Sequence, residues 1–200
     1  MQNIELKKEK RIEDIFEAAL QCFNETGYAA TSMENIAAKA HISKGGMYHY
    51  FGSKRELFLN LFRYRVNKYF NEMKSYMKKE DTPEQRIRTL VRKAGQILKR
   101  NEDFYKFCLE FLSQGTRDAE IRKIMTAFYK DCIGTFKALV EEGMETGNFK
   151  EIDSEKAARA IYFLVMGVYF TYFSIDPDFD VTEQHSFHID NILQTMKNGK

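Results

Sequence analysis

The stretch HISKGGMYHYFGSK, residues 41–54, sets two glycines side by side directly after a residue suited to starting a helix. Ser43 can cap a helix whose inward side chains are Met47 and Phe51, and Gly52 follows as its stop. Each glycine costs roughly 1 kcal/mol relative to alanine inside a helix, so the pair Gly45 and Gly46 belongs where a side chain would be in the way. Something approaches that backbone closely. Upstream, Ile12, Ile15, Phe16, Ala19 and Phe23 follow helical spacing up to Gly27. Thr31 and Glu34 then read as a capping box before Met33, Ile36, Ala37 and Ala40, a second helix of about two turns. With a break at His41 and Ile42, the two short helices form a helix-turn-helix, whose second helix enters the DNA major groove by its N-terminal part.

On that reading the glycines let backbone amides reach a phosphate, or let the helix sink deeper into the groove. Lys44 and His49 lie in position for base edges, lysine as a donor to guanine. Tyr48 and Tyr50 offer hydroxyls to phosphates, and Ser53 with Lys54 meets the DNA backbone at the start of the next helix. Thr31 and Ser43, at the heads of the two short helices, complete the expected contact set. Between Glu34 and Glu56 no acidic residue occurs, while Lys39, Lys44, Lys54 and Arg55 are basic, on a chain whose net charge is only +2. This is a local basic patch suited to phosphates, or a solvated face.

Several spaced elements then occur in order from Arg11 to Leu57: I-x-x-A-A-L-x-x-F, G-Y-x-x-T-S-M-x-x-I-A, I-S-K-G-G-M-Y-H-Y-F and S-K-x-x-L. This quarter of the chain resembles the DNA-binding domain of the tetracycline-repressor (TetR) family. Two departures are Tyr50, where members often carry histidine, and Gly46, where a small polar residue is common and a base contact is therefore in doubt.

The remainder reads as helical too. Only two prolines occur in 200 residues of which 44% are hydrophobic and 30% charged, which favours long helices in a folded chain. A stripe from Leu57 to Met77 predicts a fourth helix from Ser53 to near Lys79. Thr82-Pro83-Glu84-Gln85 combines a capping box with a first-turn proline and opens a fifth. Phe104 to Leu112 marks a sixth, Ile121 to Val140 a seventh, Asp153 caps an eighth reaching about Ser174, and Phe187 to Met196 forms a ninth. The expected fold is all-α, about nine helices, with a head at 1–52 joined by a long helix to a ligand-binding and dimerisation bundle at 53–200. The charged start MQNIELKKEKR has no apolar core, and the longest apolar run, 161–173, falls short of the ~20 residues that span a bilayer, so a cytoplasmic protein off the membrane is expected.

The eighth helix is apolar nearly all round and needs cover on several sides. The resemblance implies a homodimer in which helices eight and nine pair with their symmetry mates, through Ile161, Val168, Phe170, Ile189, Ile192, Leu193 and Met196; the alternative is a buried helix in a monomer. Phe62, Val66, Tyr69, Phe104, Phe107, Cys108 and Phe111 are expected to face Met125, Phe128, Tyr129, Tyr162 and Met166. These make either an ordinary core or, as the resemblance implies, the wall of a cavity for a small-molecule effector. His185 and His188 have a spacing that can ligate a metal, but no third ligand follows, and surface histidines are expected. Cys22, Cys108 and Cys132 fit neither a disulfide framework nor a zinc site. No cofactor or metal is expected, and no phosphate loop or nucleophile motif points to an enzyme. The resulting expectation is a regulator that binds a palindromic operator on double-stranded DNA and is released by its effector. A DNA-bound structural protein that recruits a protein partner through its body is the competing reading.

Overall fold

The computed structural model describes residues 2–77 and 81–197, with side chains from Glu5 onward. Among the described residues every regular element is a helix: α1 (Gln2–Ala30), α2 (Met33–Lys39), α3 (Lys44–Tyr50), α4 (Lys54–Ser75), α5 (Pro83–Arg100), α6 (Glu102–Gly115), α7 (Ala119–Glu145), α8 (Ser154–Ser174) and α9 (Val181–Met196). The helix starts follow side-chain chemistry. Thr82 and Gln85 close the expected capping box with Pro83 in the first turn, and Asp153 and Asp180 cap α8 and α9. One cap differs from expectation: the box ahead of α2 is made by Ser32 and Asn35, not by Thr31 and Glu34. Thr31 is drawn inward instead, its hydroxyl 2.7 Å from the Gly27 carbonyl oxygen as donor. Gly27, at φ 77°, breaks the regular path of α1 and turns that carbonyl. A second departure is α4, which ends at Ser75; the expected end at Lys79 lies outside the described residues.

The chain divides into two compact units, at boundaries other than residue 52. The first comprises residues 1–68 and 102–122, the second 69–101 and 123–200. The first is built on phenylalanine. Phe62 and Phe111 stack with ring centroids 3.8 Å apart and planes 8° from parallel, and Phe58 meets Phe23, Phe107 and Phe111 at 5.0–5.1 Å. In the second, α9 lies against both α5 and α8. Gly143 of α7 receives the Phe149 ring so closely that a Cβ there would fall 2.1 Å from it.

Candidate nucleic-acid interface

The turn between α2 and α3 passes through His41 at φ 53°, the left-handed region, which reverses the chain within few residues. Ser43 caps α3 by accepting a hydrogen bond from the Gly46 amide at 3.0 Å. The two glycines then differ. A Cβ at Gly46 would press on the Ser43 hydroxyl at 3.2 Å, whereas one at Gly45 would meet nothing within 4 Å. Nothing in the chain itself calls for glycine at position 45. The bare turn is open to solvent, and Lys44, Tyr48 and His49 project around it, all exposed. Tyr50 is half-buried with its ring edge-on to His49, and Ser53 is exposed, accepting the Glu56 amide to cap α4.

Two residues of the expected contact set are placed otherwise. Thr31 is 2% exposed, so it supports the α1–α2 junction rather than facing a ligand. Lys54 turns its ammonium to the carbonyls of Tyr28, Ala29 and Thr31, at 2.6, 3.2 and 2.7 Å, and over the Tyr28 ring. It closes the end of α1, and burial pushes its pKa down. This corrects the expectation of a free phosphate-facing lysine.

The basic patch is also altered by folding. Lys39 pairs with Glu25 and Lys44 with Glu34, each at 2.5 Å, and Arg55 donates to Asp118 and Glu120 at 2.9 and 2.7 Å. The hydrogen bond between them raises the Lys44 pKa and lowers that of Glu34, as the Arg55 guanidinium lowers that of Asp118. Exposed pairs of this kind are weak and exchange readily for a phosphate. Sequence separation hides them: Asp118 lies 63 residues from Arg55.

The twelve aromatic, sulfur and aliphatic positions expected around an effector divide between the units. Phe62, Val66, Phe104, Phe107, Cys108 and Phe111 fall in the first and Tyr69, Met125, Phe128, Tyr129, Tyr162 and Met166 in the second. In the first unit Phe62, Phe104, Phe107 and Phe111 are buried against one another, and burial pushes the Cys108 thiol well up. In the second, Tyr129 meets Tyr162 edge-on at 5.1 Å, and Phe128 packs on Phe70. Burial raises the Tyr69 hydroxyl well above its ordinary value, with Tyr169, Cys132, Glu72 and Tyr162 adding to the shift, and pushes the Tyr162 hydroxyl up to about 12.

On α8 and α9 the structure separates two faces. Ile161, Val168, Ile189, Leu193 and Met196, expected at a dimer interface, are buried within the chain itself because they lie on the faces that α8, α9 and their neighbours turn inward. Phe170 is exposed and Ile192 half-buried, and with them Phe163 (58% exposed) and Phe187 (63%) form the outward face. A groove of about 730 Å³ runs there between Phe163, Leu164, Gly167 and Thr171 of α8 and Gln184, His188, Asn191 and Ile192 of α9. His185, expected at the surface, is completely buried beside Tyr169 and Gly95, one residue step from the outer face. Neither ring nitrogen makes a hydrogen bond of ordinary geometry, and burial pushes its pKa down to about 4, with the Val165 backbone opposing the shift. Among the described residues no group of three His, Cys, Asp or Glu side chains is placed to hold a metal ion.

Known proteins share this arrangement. Residues 15–61 match the family described as "Bacterial regulatory proteins, tetR family", and residues 83–193 match "BetI-type transcriptional repressor, C-terminal". The Bacillus subtilis fatty acid metabolism regulator protein is 22% identical over 157 residues, 78% of this chain and 80% of its own. A TetR transcription regulator from Haloarcula marismortui superposes with TM-score 0.86 at 19% identity, over 95% of this chain and 100% of that one. Bacillus subtilis FadR, solved with stearoyl-CoA, superposes with TM-score 0.80 at 20% identity, over 92% and 98%. With a helix-turn-helix head and a helical body both matched, this chain belongs to the tetR family of DNA-binding transcriptional regulators, which are not enzymes.

Proposed function

We propose that the protein is a cytoplasmic repressor that binds a palindromic operator as a homodimer and leaves it when a small apolar or amphipathic effector binds. The observation that carries this reading is the unmatched face of α8: only 28% of its most apolar window is buried within the protomer. The helix is long and apolar enough to cross a membrane by length and composition. Its outer side chains, Ala160, Phe163, Gly167 and Phe170, repeat at the spacing of a helix–helix seam, which suits a second copy of the same chain. A two-fold dimer presents two heads, and two heads about 34–36 Å apart occupy successive major grooves of a palindrome. The operator contacts are Lys44, Gly45, Gly46, Tyr48 and His49, flanked by Ser43, Tyr50 and Ser53.

The effector contacts narrow to the second unit, at Tyr69, Met125, Phe128, Tyr129, Tyr162 and Met166, where buried hydroxyls sit among apolar side chains. Long-chain acyl-CoA is the first class to test, given what the Bacillus relatives are named for and solved with. A hundredfold loss of DNA affinity on binding requires about 2.7 kcal/mol of coupling, and by linkage DNA must weaken effector binding by the same factor. The test is footprinting on the DNA upstream of the protein's own gene, followed by calorimetry of acyl-CoA with and without that duplex. A symmetric footprint and a weaker acyl-CoA affinity in the presence of DNA are expected; equal affinities would remove the effector role.

A further inference from the structure

Folding occupies the cations of the helix-turn-helix: Lys39, Lys44 and Arg55 with carboxylates and Lys54 with carbonyls. A different part of the same unit keeps its charge free. Lys7, Lys8, Lys10 and Arg11, within five residues of α1, are all exposed and make no ion pair or hydrogen bond among the described residues. At roughly 100° per residue, Lys10, Lys7, Arg11 and Lys8 fall on one side of the helix and Glu5 and Glu9 on the other. Asp14 is the one carboxylate on the basic side, a turn further on. Lys8 of this face shares the walls of a groove of about 700 Å³ with Ile12 of α1 and His49 and Tyr50 of α3. With α3 seated in the major groove, Lys8, beside His49 and Tyr50, lies on the side of the head toward the flanking phosphates.

We infer that the Lys7–Arg11 face of α1 is a second DNA-binding surface, one that grips the phosphate backbone beside the site that α3 reads. The inference rests on the DNA-binding role of the family. Division of labour follows from chemistry: exposed ammonium and guanidinium groups contact phosphates in any sequence, whereas the α3 side chains meet base edges. Each phosphate neutralised releases condensed counterions, so the log of the binding constant falls with log salt by about 0.9 per contact.

The experiment compares the full chain with a variant carrying Lys7→Gln, Lys8→Gln, Lys10→Gln and Arg11→Gln, by fluorescence anisotropy over a salt series on the footprinted operator and on an unrelated duplex. Their exposure leaves the fold intact, which an unchanged thermal midpoint verifies. The salt slope is expected to become shallower by about 2–4 on both duplexes, with their affinity ratio unchanged. An unchanged slope, or a loss confined to the operator, overturns the surface. Adding Glu5→Gln and Glu9→Gln to the variant restores two units of net charge on the opposite side. Recovery of the original slope would show that net charge rather than this face governs binding, and would also overturn it. If the unmodified chain binds neither duplex at low salt, the regulator reading itself fails; loss of binding in Lys44→Ala with the slope of the α1 variant intact would show the reading sound and this surface wrong.

Discussion

Phe62 of α4 and Phe163 of α8 are the same residue type, each in a long helix, yet one is 2% exposed and the other 58%. The first unit closes its phenylalanines on one another: Phe62 on Phe111, Phe111 on Phe58, Phe58 on Phe107. The second leaves Phe163, Phe170 and Phe187 facing outward along α8 and α9. The difference separates two uses of one side chain. A ring packed among rings contributes to folding of its own chain, while a ring left in water costs solubility unless another surface covers it.

The sharpest way to break this contrast is to empty the closed region. Phe111→Ala removes a fully buried ring from the centre of the stack and is expected to destabilise the protein by about 3–5 kcal/mol. Thermal or denaturant unfolding measures it. A cost under about 1 kcal/mol would show that the first unit is looser than its ring distances imply.

Beneath the open face, His185 provides the next effect. Its folded pKa of about 4 lies below the ordinary 6.5, so the unfolded chain binds the proton first. Stability from this group is complete above pH 6.5 and is lost as pH falls toward 4, by a total on the order of 3 kcal/mol. His185→Leu is expected to flatten that part of the stability curve. A slope unchanged by the substitution would mean that carboxylates alone account for acid sensitivity.

Charging the open face sharpens the contrast from the other side. Phe163→Glu with Phe170→Glu is expected to give folded monomers with an unchanged unfolding midpoint and about a hundredfold weaker operator binding, roughly 2.7 kcal/mol. Sedimentation and anisotropy read the two quantities separately. An intact dimer would show that α8 is covered by something other than its symmetry mate.

The smallest effect belongs to neither region. His41 sits exposed at φ 53° in the turn of the head, a conformation that costs an L-residue about 1–2 kcal/mol and glycine none. Glycine's greater chain entropy offsets part of the gain, so His41→Gly is expected to stabilise by about 0.5 kcal/mol, a rise of one or two degrees in midpoint. A fall in midpoint would show that the His41 side chain holds the turn by a contact of its own.

The helices, their caps and the helix-turn-helix were legible in the sequence because each depends on residues within one or two turns of one another: Ser43 with Gly46, Thr82 with Gln85, the apolar stripe of α5. Even there a one-residue ambiguity mattered, since Thr31 and Ser32 can each begin a capping pattern and only packing at Gly27 selects Ser32. The chain's own packing does not require glycine at position 45, where a Cβ would meet nothing within 4 Å. Charge was not. The run from Lys39 to Arg55 reads as a free basic patch because its carboxylate partners, Glu25, Glu34, Asp118 and Glu120, lie outside it, and two of them arrive from α7 and its cap. Periodicity states that a helix has an apolar side and is silent about what covers it. For α8 it could not distinguish Val168, turned into the core of the chain, from Phe170, two residues on and turned out, nor foresee that His185 would be sealed in while His188 reached the groove. Contacts within a turn are set by local geometry that sequence spacing records, whereas the partner of each face and each charge is chosen when distant segments meet, and only the tertiary structure holds that choice.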